Sequence, residues 1–312
     1  MKINKKDVTI IILAAGKGTR MKDLTMVPKC LMTIGNRVAL SIILEPFIKN
    51  GYKNYSFVVG RDGNFIEYYM YQNFPDLNLT FHYIEEALGT AHSLYQIRNF
   101  YFDKPIAISY SDNIFSLNDF RKLDLKKPFI FINKDKKLKP YAYAKINKGK
   151  IFETYEKPSK LYSDNVISGV FYFNDPNKLW QATEINFHNS YKTHKEWSLT
   201  DSINTMIKTL KENIYYKIVE SPIHFGTPEE YKLLNQKYNN QSKKKFITRS
   251  TNKLYFKKNY KNKRIIKESI NDLGIQNLSS EIKYFKKIPQ NIKNHFPKIY
   301  LLNKNSYEME YI

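Results

Sequence analysis

Over its first 240 residues the chain alternates apolar runs with segments of helical spacing, and no other feature restricts the fold as much. Val8–Ala15 is an apolar run rich in β-branched residues. Ala39–Asn50 places Leu40, Ile43, Leu44, Phe47 and Ile48 on one helical face, with Gly51 positioned to cap it. Tyr55–Gly60 reads as a second strand, Phe65–Phe74 as a short helix and Leu79–Ile84 as a third strand. Thr90–Phe100 reads as a helix and Ile106–Tyr110 as a fourth strand ending near Asp112. This βαβαβαβ order predicts an α/β fold, a Rossmann-like, mostly parallel sheet flanked by helices. Such sheets hold ligands at the carboxyl ends of their strands.

From Pro128 to Asn174 the pattern changes to strands without long helices: Phe129–Asn133, Ala142–Ile146, Ile151–Tyr155 and Ile167–Phe173. We expect an antiparallel extension on the substrate side of a cleft. Helices are predicted again at Leu199–Glu212, with Thr200 as N-cap, and at Pro228–Tyr238. The polar stretch Asn239–Lys245 reads as a linker. The expected organisation is a domain over 1–240 and a small, incomplete α+β segment over 241–312.

Leu13-Ala-Ala-Gly16-Lys17-Gly18-Thr19-Arg20-Met21 follows the first strand. Its small residues let backbone N–H groups approach a phosphate closely, and Arg20 adds a permanent charge. A Walker loop is excluded because Gly18, not Ser or Thr, follows Lys17. A dinucleotide fingerprint is excluded because Met21 stands where the third glycine belongs.

Together with Pro28-Lys29, this loop resembles the nucleotide-binding signature of the sugar-phosphate nucleotidyltransferases. Further matches follow in family order: Leu88-Gly89-Thr90-Ala91, Ser111-Asp112-Asn113, Glu156-Lys157-Pro158, the Asn165–Tyr172 strand with Ser168 and Gly169, Glu196–Asp201, and Gly226–Tyr231. The resemblance implies transfer of a nucleoside monophosphate, UMP or CMP, from a nucleoside triphosphate to a sugar phosphate or small phosphorylated alcohol. Pyrophosphate would leave, and the product would serve capsule, lipopolysaccharide or other cell-surface glycan synthesis. Leu13, Ala14, Ala15, Gly16, Lys17, Gly18, Thr19, Arg20, Gly89 and Thr90 would bind the nucleotide. Arg20, Lys29 and Lys157 would act in catalysis. Glu156, Lys157, Ser168, Gly169 and Glu196 would bind the acceptor, and Asp112 would hold Mg²⁺.

Two positions depart from the family pattern. His224 stands where many members carry a second metal-binding aspartate, and imidazole suits Mg²⁺ poorly. Ala142 stands where sugar-specific members often have glycine against the hexose. His224 also supports a second reading, a catalytically silent regulator that binds a nucleotide sugar.

The formal net charge of +22 raises the question of nucleic acid. More than half of it, +12, lies in residues 241–312, which hold 17 Lys+Arg against 5 Asp+Glu. The charge is mostly scattered lysine, so nucleic-acid binding is not expected. No uninterrupted apolar run reaches the roughly 18 residues that a membrane span needs, so neither is membrane insertion. The single cysteine, Cys30, fits a cytoplasmic protein without disulfides. Residues 246–312 are similar to the N-terminal lobe of choline-kinase-like and aminoglycoside-phosphotransferase-like enzymes. The similarity rests on the Lys253–Lys258 strand, Glu281 on a helix over Ser279–Lys287, and the hinge-like Met309–Ile312. It implies no kinase activity for the residues present, because none follow the hinge to supply the catalytic aspartates.

Overall fold

The computed structural model describes residues 3–310 apart from 17, 19, 20, 22–24, 26, 194, 195, 221, 242–245, 250, 251 and 257–263. It divides into two compact units, Met1–Leu234 and Asn235–Ile312. In chain order the first unit contains β1 (Thr9–Ala14), β2 (Thr33–Ile34), β3 (Arg37–Val38), α1 (Ala39–Lys49), β4 (Asn54–Val59), α2 (Gly63–Asn73), β5 (Asn78–Tyr83), α3 (Thr90–Ile97) and β6 (Ile106–Tyr110). It continues through β7 (Asn113–Ile114), β8 (Phe129–Lys134), β9 (Tyr143–Asn147), β10 (Lys150–Tyr155), β11 (Asn165–Phe173), α4 (Asn177–Thr193), α5 (Leu199–Lys208), β12 (Tyr215–Ile218) and β13 (Ile223–His224). The unit boundary falls within α6 (Pro228–Gln241).

Strands β5, β4, β1 and β6 lie side by side in that order, each pair parallel. The chain steps outward from β1 to β5, then returns to lay β6 on the other side of β1. The carboxyl ends of β1 and β6 therefore border a topological switch point, where open α/β sheets leave a crevice.

Both faces of this sheet are buried, which explains the near-continuous apolar run of β1. Ile10 and Ile12 face one core with Phe57, Leu40, Leu44, Phe47 and Met70. Ile11 faces the other with Val58, Ile108, Leu94, Trp180, Ile203 and Met206. Helices α1 and α2 thus cover one face, and α3, α4 and α5 the other. Each fully buried Ile or Phe contributes about 1.5–3 kcal/mol relative to exposure.

Beyond β6 the sheet continues through β11, which runs antiparallel to it, to β8, β9 and β10. Strand β11 changes neighbours along its length. Val170–Phe173 pair with β6, whereas Val166 pairs with β9. Gly169, at φ 78°, sits where that change occurs. The extension is not wholly antiparallel, because β12 joins β8 in parallel.

Three local expectations need correction. Helix α4 and strand β12 were not visible in the sequence pattern. Helix α4 is rich in Asn, Thr and Ser, and only Leu179, Trp180, Ala182 and Thr183 are fully buried among its described side chains, so packing rather than propensity forms it. Helix α5 ends at Lys208. Its N-cap is Ser198, which accepts from the Asp201 N–H at 3.1 Å; the Thr200 hydroxyl is engaged elsewhere.

The second unit holds an antiparallel sheet of β14 (Phe246–Arg249), β15 (Asn252–Phe256), β16 (Arg264–Ser269), β17 (Ile299–Asn303) and β18 (Ser306–Glu310), with α7 (Asp272–Lys287) between β16 and β17. Its strand order is β14-β15-β16-β18-β17. Lys267 on β16 pairs with Glu281 on α7, and the Tyr307 hydroxyl donates to the same carboxylate at 2.8 Å. Among the described residues no helix is long and apolar enough to cross a membrane.

Candidate active site

Leu13, Ala14, Ala15, Gly16 and Gly18, at the end of β1, line a cavity of about 290 Å³ together with Lys29, Gly89, Thr90, Asp112 and Glu196. Residues separated by up to 183 positions thus meet at the switch point. Lys17, Thr19 and Arg20 lie outside the described residues. A second cavity, of about 410 Å³, shares Thr90, Tyr110, Asp112 and Glu196 with the first and adds Glu156, Lys157, Tyr141 and His224.

Lys29 opens a single 3₁₀ turn, Lys29–Leu31, after Pro28. The fixed φ of proline suits that entry. Cys30 anchors the turn by pointing into the core, where burial pushes its thiol up to about 12. Lys29 is left facing the cavity, its Nζ 2.7 Å from Asp112 Oδ2.

Asp112 follows β6. The Phe225 N–H donates to its backbone carbonyl at 3.2 Å, and β13 pairs with β7, so residues 223–226 run alongside it. His224 Nδ1 lies 2.7 Å from Asn113 Oδ1. The Asn113 amide donates to the Ser168 carbonyl at 2.9 Å, which leaves Oδ1 to accept from the imidazole. Burial, chiefly, lowers the His224 pKa, against the opposing charges of Asp112 and Glu230. The Tyr141 ring packs on it at 4.8 Å.

The Gly226–Tyr231 motif closes this corner as a capping box. Glu230 accepts from the Gly226 and Thr227 N–H groups at 3.0 and 3.2 Å, and Thr227 Oγ1 accepts from the Glu230 N–H at 3.2 Å. The Tyr141 hydroxyl donates to the other Glu230 oxygen at 2.6 Å.

Lys157 holds a left-handed backbone, φ 41°, which is uncommon outside glycine and recurs at functional sites. Its Nζ lies 3.2 Å from Glu196 and 3.7 Å from Glu156. Burial raises the Glu156 pKa despite a 2.8 Å hydrogen bond from the Thr200 hydroxyl.

Ser168 and Gly169 stand behind the wall of the cavity. Ser168 is fully buried and donates to Asn133 at 2.9 Å. A Cβ on Gly169 would stand 2.3 Å from Asn113 Nδ2 and 2.8 Å from the Tyr110 ring. Both residues shape the site through Asn113 and Tyr110. The Asn113–His224 pair itself carries no sequence signal, because it depends on the pairing of two 2-residue strands.

Gly89 has a comparable role. At φ 132° its missing Cβ would lie 2.2 Å from the Trp197 carbonyl oxygen. That close approach lets Trp197 N–H donate to the Leu88 carbonyl at 2.9 Å and Ala91 N–H donate to the Trp197 carbonyl at 3.0 Å. Leu199 N–H donates to Thr90 Oγ1 at 2.9 Å.

For a hard divalent cation the donor set is sparse. No group of three His, Cys, Asp or Glu side chains able to hold a metal exists among the described residues. Asp112 fits as a single protein carboxylate, the mode in which Mg²⁺ is bound when phosphate oxygens and water supply the remaining positions.

The fold and the loop at its switch point place the chain among α/β domains that hold ligands at the ends of parallel strands. More narrowly, the sequence profile of the nucleotidyl transferase family matches residues 9–239, and the chain belongs to that family. It is 24% identical to UTP–glucose-1-phosphate uridylyltransferase AglF of Haloferax volcanii, over 70% of this chain and 92% of that protein. Among solved structures it is similar to a UDP-glucose pyrophosphorylase complexed with UDP-glucose, with a TM-score of 0.63 at 16% identity, covering 75% of this chain and 98% of that one. It is also similar to the inositol-1-phosphate CTP transferase of T. maritima, with a TM-score of 0.60 at 16% identity, covering 74% and 95%.

Proposed function

We propose that this nucleotidyltransferase moves UMP or CMP from its triphosphate to a sugar phosphate or small phosphorylated alcohol, releasing pyrophosphate. The convergence of the glycine-rich loop, the Lys29–Asp112 pair and Lys157 on two adjoining cavities carries this reading. An acceptor phosphate oxygen forms a bond to the α-phosphorus, and the bond from that phosphorus to the pyrophosphate oxygen breaks. Pyrophosphate leaves with the electron pair. Two polyanions must meet, so alignment and charge neutralisation are the protein's main tasks.

Lys29 would stabilise the α-phosphate, where charge develops, and Lys157 would hold the incoming phosphate. Arg20 is assigned to the β- and γ-phosphates from its place in the sequence motif. Asp112 would hold Mg²⁺, which supplies further charge neutralisation when bound. The Ala14-Ala15 form of the loop and the pyrimidine nucleotides in the relatives' names support UTP or CTP. A cytoplasmic role in glycan precursor synthesis, without nucleic acid, accords with these soluble substrates. We read the second unit as a fragment similar to a phosphotransferase N-lobe. The placement of α7 between the third and fourth strands and the Lys267–Glu281 pair support that reading.

The test is pyrophosphate release with four nucleoside triphosphates against a panel of phosphorylated acceptors. Turnover should require divalent metal and fall about 100-fold or more in Asp112→Asn with the fold intact. Full activity of that variant, or in excess chelator, overturns the assignment.

A further inference from the structure

Four carboxylates, Asp112, Glu156, Glu196 and Glu230, and two lysines, Lys139 and Lys157, line the acceptor cavity. Among the described residues lining it, Lys139 is paired with Asp135 at 2.7 Å, and Asp112 already holds Lys29. Both Glu230 oxygens are engaged by hydrogen-bond donors. Glu156 and Glu196 share Lys157 alone. When Lys157 turns to an incoming phosphate, as the proposed transfer requires, neither carboxylate keeps a described cation. Glu196 is exposed and water satisfies it. Glu156 is half-buried, and leaving its carboxylate without a cation is costly, so a positive charge on the substrate would complete its surroundings.

The same cavity offers few hydrogen-bond donors to sugar hydroxyls. The Thr200 hydroxyl donates to Glu156, and Ser198 and Thr200 share a 2.8 Å hydrogen bond. The Asn113 amide is held by Ser168, and the Tyr141 hydroxyl by Glu230. His224 directs its Nδ1 proton at Asn113. Apart from the Thr90, Tyr110 and Thr227 hydroxyls, what remains is carboxylate oxygen and the aromatic surface of Tyr110 and Tyr141, beside the apolar Pro140, Ala142 and Ile167. Carboxylates and tyrosine rings together suit an alkylammonium group.

Resting on the transferase reading above, we propose that the acceptor is the phosphate monoester of an amino alcohol. Lys157 takes its phosphate, and Glu156 and Glu196 meet its ammonium head. The product is the corresponding nucleoside-diphosphate amino alcohol, and the class of reaction that must supply the acceptor is phosphorylation of that alcohol.

The test compares four acceptors with the full chain, Mg²⁺ and UTP or CTP: phosphocholine, phosphoethanolamine, glucose 1-phosphate, and 3,3-dimethylbutyl phosphate, which replaces the quaternary nitrogen with carbon. One or both cationic acceptors should exceed the carbon isostere in kcat/KM by roughly tenfold or more. Glu156→Gln should shrink that ratio by raising the KM of the cationic acceptor while nucleotide binding, measured by calorimetry, persists. An isostere or glucose 1-phosphate used as well as the cationic acceptors overturns the inference and leaves the transferase reading standing. Absence of pyrophosphate release with every acceptor overturns the transferase reading, and the inference with it. The wild-type comparison decides by itself if the variant fails to fold.

Discussion

Lys29 and Lys157 face neighbouring cavities, and their surroundings differ. Lys29 sits on a short turn anchored by Cys30 and reaches Asp112; Lys157 sits on a left-handed residue between two glutamates. A charge needed most in the transition state affects kcat more than KM. Lys29→Ala should therefore lower kcat about 100-fold or more, whereas Lys157→Ala should raise the acceptor KM about tenfold or more and leave nucleotide affinity in place. Steady-state kinetics with each substrate varied in turn separates the two. Loss of nucleotide binding in Lys157→Ala means that the two half-sites are reversed. Lysine, aspartate and glycine positions of this kind were legible because each lies in a short contiguous motif. The partners that orient them were not: His224 and Asn113 are 111 residues apart and meet only after folding.

At the scale of elements, β11 is the piece on which the site wall depends. Its change of neighbour at Gly169 brings Asn113 and Tyr110 into space that a side chain would fill. Gly169→Ala combines a left-handed backbone with a close contact. It should cost about 2–3 kcal/mol of stability, read as a lower urea midpoint. A midpoint unchanged from wild type would show that the backbone at Gly169 relaxes freely. The parallel strands were readable because burial on both faces leaves an apolar run, as in Ile10–Ile12. Helix α4 was not, because its few inward residues leave no clear period. The capping of α5 was misplaced by two residues for a local reason. Ser198 and Thr200 are both competent caps, and only the position of Glu156 decides which hydroxyl turns inward.

For the whole molecule, each unit has its own sheet, and the excess charge is concentrated after residue 240. The residues that line the two candidate cavities all belong to the first unit. A variant ending at Asn240 should keep nucleotidyl transfer within about twofold of the full chain, as expected when units carry separate cores. It should also bind polyanions less at low salt, having lost a net charge of +12. A folded truncation without activity would show that the second unit takes part in the reaction.

The contact between Gly89 and Trp197 bears on how such an enzyme could be redesigned. The loop at 88–91 and the segment at 196–199 are stitched together by two main-chain hydrogen bonds and one to the Thr90 hydroxyl. The first brings Gly89 to the cavity proposed for the nucleotide, and the second carries Glu196, which lines both cavities. Exchanging either piece alone for that of another protein would put unmatched backbone against a surface with no room for a methyl group. Anyone grafting a new acceptor preference onto this scaffold should transplant the two stretches as a single cassette, with Gly89 retained at the seam.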